Sequence, residues 1–269
     1  MKRNVLVVLA GALATMVPAG VAAVTAGSAT AATVAVVHRP LADRHGSNDT
    51  FLSTNWSGYA VSAASAFTNV TGTWVQPTAT CARRSTTYSS FWVGIDGYSS
   101  GSVEQLGTDS DCSRGNPTYY AWYEMYPAAS VTLPYPVQPG DTLSGGVARS
   151  GGSYTLSLTD TRNGVVQWSF SQPESGSNAN SSAEWVAEAP ELCNVFSCQL
   201  ASLTNFGTVN FTRAQAAAAD GVNAPISSFI ASGGPHEVVM VNNSGTITKA
   251  QPSGLDATGM QFSDAWQHS

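Results

Sequence analysis

From Asn55 onward the chain consists of short alternating or aromatic-rich runs, each closed by Gly, Pro, Asn or Ser, and this punctuation constrains the fold most. Runs with strand character fall at 56–62, 67–75, 88–96, 102–107, 118–126, 141–149, 153–159, 164–171, 182–188, 206–212, 226–231 and 236–241. Asn163-Gly164, set between two such runs, predicts a type I′ hairpin. Only Arg213–Ala219 has helical composition, and so short a segment is not stable as a helix by itself. Many strands with almost no helix must bury their faces against one another, so the chain is read as one all-β domain, a sandwich or jelly roll. The tail after about Pro252 reads as loosely held.

The N-terminus is of a different kind. Lys2 and Arg3 precede an apolar stretch, Val5–Leu13, and small residues follow down to Ala29-Thr30-Ala31, the pattern of a secretory signal peptide cut after Ala31. A membrane anchor fits less well, because Gly11, Thr15, Pro18 and Gly20 interrupt the stretch well short of the ~20 residues a span needs. The expected organisation is therefore residues 1–31 as signal peptide, 32–52 as a short pro-segment or flexible N-terminus, and 53–269 as the β domain. The product is secreted, with no membrane attachment after cleavage, and is expected to be a monomer.

Charge narrows the partners. Only 10% of residues are charged, against about 25% in an average soluble domain. Setting aside Lys2, Arg3, Arg39, Arg44, Asp43 and Asp49 leaves 15 acidic and 7 basic side chains, with Lys249 the one remaining lysine. Nucleic acid is excluded as a partner, because phosphate contacts need clustered Lys and Arg. Few ion pairs can be lost on acidification, so the fold is expected to tolerate acid.

The four cysteines, Cys81, Cys112, Cys193 and Cys198, suggest two disulfides in a secreted chain. Of three possible pairings, Cys81–Cys112 and Cys193–Cys198 close the local loops. No C-x-x-C or H-x-x-x-H accompanies them, so neither a metal nor a cofactor is expected.

Strand parity locates the chemistry, since residues of equal parity share a face. Phe91, Val93 and Ile95 oppose Trp92, Gly94 and Asp96. Tyr119, Ala121, Tyr123 and Met125 oppose Tyr120, Trp122, Glu124 and Tyr126. Ala183, Trp185 and Ala187 oppose Glu184, Val186 and Glu188, and Gln105 lies opposite Glu104 and Leu106 with Asp109 on its own side. One set of faces is apolar and forms the core. The other mixes aromatics with carboxylates and an amide, which suits the floor of a ligand groove, because burying unpartnered carboxylates is costly. A solvated sheet face is the plainer alternative.

Two features are set aside. Gly97-Tyr98-Ser99-Ser100-Gly101 matches G-x-S-x-G, but the nucleophile elbow needs a strand–turn–helix in a parallel sheet, and a strand-like run follows here. Of the histidines, His38 and His45 lie before the expected domain and His268 at the terminus, leaving His236 alone, too little for a metal site or a triad.

The segments NWSGYAV (55–61), FWVGIDG (91–97), EQLGTD (104–109), YYAWYEMYP (119–127) and AEWVAE (183–188) resemble, in order, the motifs of the glutamic peptidases, or eqolisins. The resemblance implies a lectin- or glucanase-like β-sandwich of two curved antiparallel sheets, with polypeptide substrates bound on a concave face. It implies a catalytic pair, Gln105 and Glu188, the latter matching the glutamate that closes the A-E-F-x-x-E motif. Trp56, Trp92, Asp96, Asp109, Glu124 and Tyr126 fall where the family lines its substrate groove. The sequence departs from the fungal pattern at Ala189-Pro190, which follow Glu188, at Glu104 before Gln105, and in a shorter turn after FWVGIDG.

The implied activity is that of a secreted acid endopeptidase of broad specificity. Glu188 would act as general base on water and then as acid to the amine, while Gln105 would orient the water and stabilise the oxyanion. The competing readings are a glycosidase pairing Glu124 or Glu184 with Glu188, and a non-catalytic carbohydrate- or peptide-binding sandwich.

Overall fold

The structure, a computed structural model, describes residues 34–42, 45–47, 50–162, 166–174, 178–230 and 234–269. The signal-peptide reading and the Asn163-Gly164 hairpin lie outside the described residues. The strands are β1 (Ala35–Val37), β2 (His45–Ser47), β3 (Thr50–Ser53), β4 (Trp56–Ser62), β5 (Phe67–Val75), β6 (Ser90–Ile95) and β7 (Val103–Ser113). They continue as β8 (Asn116–Tyr126), β9 (Val131–Pro136), β10 (Thr142–Ser150), β11 (Ser153–Asp160), β12 (Val166–Pro173), β13 (Ser182–Glu188) and β14 (Glu191–Cys193). The rest are β15 (Cys198–Leu200), β16 (Thr208–Ala218), β17 (Asn223–Pro225), β18 (His236–Val241), β19 (Thr248–Pro252) and β20 (Phe262–Trp266).

The pairings form a β-sandwich. One layer runs β9–β8–β7–β6–β13–β4–β18, antiparallel throughout, with β3 added in parallel beside β18. The other runs β12–β11–β10–β5–β16–β20–β19. A β18–β19 pairing joins them. Between the layers Trp74, Val93, Leu143, Val147, Trp185 and Phe211 are closed off from solvent. A tryptophan buries roughly 150–250 Å², on the order of 5 kcal/mol of gross hydrophobic stabilisation. The layers meet closely at Gly72 of β5, where an added Cβ would lie 2.8 Å from the Trp185 ring. The Trp185 indole N–H donates across that gap to the Thr71 carbonyl at 2.8 Å.

Strand parity holds along the first layer. Tyr59, Val61, Phe91, Val93, Ile95, Leu106, Ala121, Ala183, Trp185 and Ala187 belong to the core between the layers. Trp56, Ala60, Trp92, Trp122 and Val186 form a second cluster on the opposite face. The structure pairs Cys81 with Cys112 and Cys193 with Cys198.

Three expectations are corrected. Arg213–Ala219 is not helical; all but its last residue belongs to β16, where Ala214, Ala216 and Ala218 are buried and alternate with more exposed neighbours. Pairing with β5 outweighs the helical propensity of an alanine-rich run, and a bulge near Arg213, whose φ is 52°, resets the register. The run at 226–231 contains a 3-10 turn, Ile226–Ser228, following β17. The tail is firmly placed, because β20 pairs with both β16 and β19, and Phe262 stacks on Phe211 at 5.0 Å. Strand β9 escaped notice because Pro134 and Pro136 interrupt its sequence, but among the described residues β9 pairs only with β8, and an edge tolerates proline.

Candidate active site

Three rows of residues cross the outer face of the first layer at adjacent register positions. The first is Glu188–Ser90–Asp109–Tyr120, the second Val186–Trp92–Gly107–Trp122, and the third Glu184–Gly94–Gln105–Glu124. Glycines make room for the large groups. A Cβ at Gly107 would come within 2.6 Å of the Trp92 Cβ, and one at Gly94 within 3.0–3.1 Å of the Trp92 ring and the Gln105 Cβ. Only glycine there lets the two indoles and the amide lie side by side.

Every indole on this face donates into the site. Trp92 Nε1–H reaches Glu188 Oε2 at 2.8 Å, Trp122 Nε1–H reaches Asp109 Oδ1 at 2.6 Å, and Trp56 Nε1–H reaches the Arg39 carbonyl at 2.9 Å. Such bonds to ionisable acceptors hold each carboxyl in one orientation. The Tyr120 hydroxyl lies 2.7 Å from Asp109 and 2.9 Å from Asp111. Burial pushes Asp109 above the usual carboxylate range and Asp111 well above it. Glu188, with no exposure, is also driven well above its ordinary range, by burial first and by its acidic neighbours second, against the Trp92 bond.

The chain's own N-terminal segment lies across this face. The amide Nε2–H of Gln105 donates to the His38 carbonyl at 2.7 Å, and Glu188 Oε1 accepts the Arg39 backbone N–H at 3.2 Å. The two groups thus grip opposite ends of a single peptide unit. The His38 imidazole stacks flat on Trp122, with 3.5 Å between ring centres and 1° between planes. Its Nδ1 is 2.9 Å from Glu124 Oε2, which also accepts the His38 backbone N–H, and its Nε2 is 2.9 Å from Ser90 Oγ and 3.8 Å from Asp109. Burial lowers His38 to about 4, against the pull of Asp109, and raises Glu124 to about 8.

Of the expected groove residues, Gln105, Glu188, Trp56, Trp92, Asp109 and Glu124 surround His38 and Arg39. Tyr126 and Glu191 hold the Arg39 guanidinium, which raises its pKa. They also border a cavity of about 350 Å³ beside Arg39–Ala42. Asp96 is turned elsewhere. It accepts the backbone N–H groups of Asn180 and Ser181 at 2.7 and 2.8 Å and the Ser102 hydroxyl at 3.4 Å, anchoring the approach to β13. Residues that the motifs did not mark are His38, Arg39, Ser90 and Glu191. The first two sit in a polar stretch before the motifs, and their short His-Arg-Pro run was the available signal. Gly97–Gly101 forms a turn in which Ser100 Oγ accepts the Gly97 N–H. His236 stacks on Tyr98.

The peptidase A4 family model matches residues 54–261. Aspergillopepsin-2 of Aspergillus niger is 30% identical over 195 residues, covering 64% of this chain and 67% of that protein. Scytalidopepsin B of Scytalidium lignicola is 34% identical over 166 residues, 59% of this chain and 61% of the other. Among solved structures, scytalido-glutamic peptidase with a peptide-based transition-state analog superposes with a TM-score of 0.67 at 26% identity, covering 80% of this chain and 98% of that one. The eqolisin SCP-B in complex with the tripeptide Ala-Ile-His gives 0.64 at the same identity and coverage. The chain belongs to the peptidase A4 family and is a glutamic-type peptidase.

Proposed function

We propose that the chain is a secreted acid endopeptidase in which Glu188 and Gln105 act together on a bound peptide bond. The observation that carries this reading is the pair of contacts on the His38–Arg39 peptide: an amide donor on its carbonyl oxygen and a carboxyl on its nitrogen. When water attacks such a carbonyl, negative charge grows on the oxygen held by Gln105 Nε2, where a fixed donor stabilises the tetrahedral state. Gln105 Oε1 makes no hydrogen bond among the described residues, which leaves it to accept from the attacking water. Ionised Glu188 takes a proton from that water and returns it to the departing nitrogen.

Trp92 keeps Glu188 oriented through this exchange. Burial raises the Glu188 pKa, which makes the ionised carboxyl a stronger base toward the water's proton. Aromatic surfaces at Trp122 and Trp56 hold the substrate extended. Secretion follows from the N-terminal pattern, and activity in acid follows from a carboxyl base that needs no histidine.

The test is digestion of an unfolded protein at about pH 4, with chelators and serine-directed reagents present. Wild type should degrade it and E188Q should not. Full activity in the variant would remove Glu188 from the mechanism.

A further inference from the structure

Residues 35–42 lie over the face as an extended peptide held on both sides of the gripped bond. Upstream, β1 pairs with β14, from Ala35–Cys193 to Val37–Glu191, and Ser130 Oγ donates to the Val36 carbonyl. Downstream, the Asn55 amide donates to the Arg39 and Pro40 carbonyls, its Oδ1 accepts the Ala42 N–H, and the Leu41 N–H donates to the Gly97 carbonyl. Each side chain flanking the bond has a fitted partner. His38 is enclosed by Trp122, Glu124, Ser90 and Asp109, while both Glu191 oxygens lie 2.9 Å from Arg39 Nη1. Backbone bonds on both flanks with side-chain pockets beside them make up the register of a bound substrate.

We propose that the His38–Arg39 bond is cleaved by the chain's own Glu188 and Gln105, within one molecule, and that the segment fills the groove until that cut is made. This rests on the activity proposed above. Water adds to the His38 carbonyl carbon, whose oxygen is held by Gln105 Nε2, and Glu188 accepts the water's proton. The C–N bond to Arg39 then breaks and Glu188 passes the proton to the nitrogen. One water is consumed, the upstream piece ends in a His38 carboxylate and the main chain begins with an Arg39 amine. The upstream piece then keeps the short β1–β14 pairing, the Ser130 bond and the His38 pocket, whereas Arg39–Ala42 stays tethered through β3 and Asn55.

The experiment follows the whole secreted chain after acidification, by intact mass and N-terminal sequencing, beside an assay on an added unfolded protein. A new N-terminus at Arg39, formed with a rate constant unchanged by tenfold dilution, is expected, and E188Q should slow it about 100-fold or more. Wild type that digests the added protein while His38–Arg39 stays intact, or whose cut falls elsewhere, overturns the self-cleavage and leaves the peptidase reading standing. Wild type that digests neither overturns the peptidase reading itself. A synthetic peptide of residues 35–42 given to processed enzyme supplies a check that needs no folded variant. Cleavage between its histidine and arginine supports the register, and cleavage only at another bond refutes it.

Discussion

Two buried acidic clusters belong to the first layer and differ in what they hold. Around Glu188, Glu124 and Asp109, the partners include two indoles and the His38–Arg39 segment from a distant part of the chain. Around Glu184, Glu104 and Asp96, the partners include the loop leading into β13: Asn178 donates to Glu104, and the Asn180 and Ser181 backbones donate to Asp96. Burial raises both Glu184 and Glu188 well above the usual range, so a perturbed pKa does not separate them. Contact with the His38–Arg39 peptide does. One cluster is closed by its own loop and ties the sandwich together. The other is closed by residues 38 and 39 of the N-terminal segment.

The contrast breaks most directly at its two glutamates. E188Q should lower peptide hydrolysis by about 10³-fold or more, because it removes the proton carrier. E184Q should stay within a few-fold of wild type, since a neutral amide replaces a carboxyl that burial already holds protonated. Equal losses in a steady-state assay would mean that both clusters serve the chemistry. Next in size is Gln105→Ala, expected to cut kcat by about 10²–10³ with little change in KM, the signature of a donor that works on the oxyanion. A loss confined to KM would make Gln105 a binding group only.

Titration sets His38 against the carboxyls of both clusters, since Glu124, like Glu104, is raised to about 8. Glu104, raised to about 8, and Glu184, raised well above its range, bind protons more tightly when folded. Their contribution is fully present below about pH 4.5 and is lost as pH rises through the folded pKa, so thermal stability should be greater at about pH 4 than near neutrality. His38 runs the other way. Lowered from 6.5 to about 4 by burial between Trp122, Glu124, Asp109 and Ser90, it favours docking above pH 6.5. That support fades as pH falls toward 4, by about 3 kcal/mol at roughly 1.4 per pKa unit. In E188Q, which keeps its N-terminus, hydrogen-exchange protection at residues 35–42 should therefore drop on acidification while the sandwich gains stability. Parallel changes in both would contradict the opposed signs.

Particular residues show how far the sequence could be read. Strand parity placed Trp92, Trp122 and Gln105 opposite the core because each run is regular and alternates apolar residues with a mixed face, conditions under which a period of two is decisive. It could not rank Glu184 against Glu188, which share that face and differ only in partners drawn from elsewhere in the chain. The alanine run of β16 misled because local propensity says nothing of the β5 partner waiting beside it. His38 was passed over because its role arises from a long-range return of the N-terminal segment, 86 residues away from Glu124, which no local pattern records.

The smallest effect concerns the exit side of the site. Glu191 holds the Arg39 guanidinium at 2.9 Å, but the arginine side chain is 44% exposed, so solvent screens the pair. An exposed ion pair contributes roughly 0.2–1 kcal/mol, and Glu191→Ala should slow cleavage of peptides with arginine after the bond only a few-fold. Peptides carrying leucine there should be unaffected. Glu124 meets the residue on the other side of the bond with no solvent between them, so Glu124→Gln should change preference for the preceding residue much more than Glu191→Ala changes preference for the following one. A peptide-library digest with both variants measures the two together. A larger shift from Glu191→Ala would show that the exposed half of the groove, and not the buried cluster, sets selectivity.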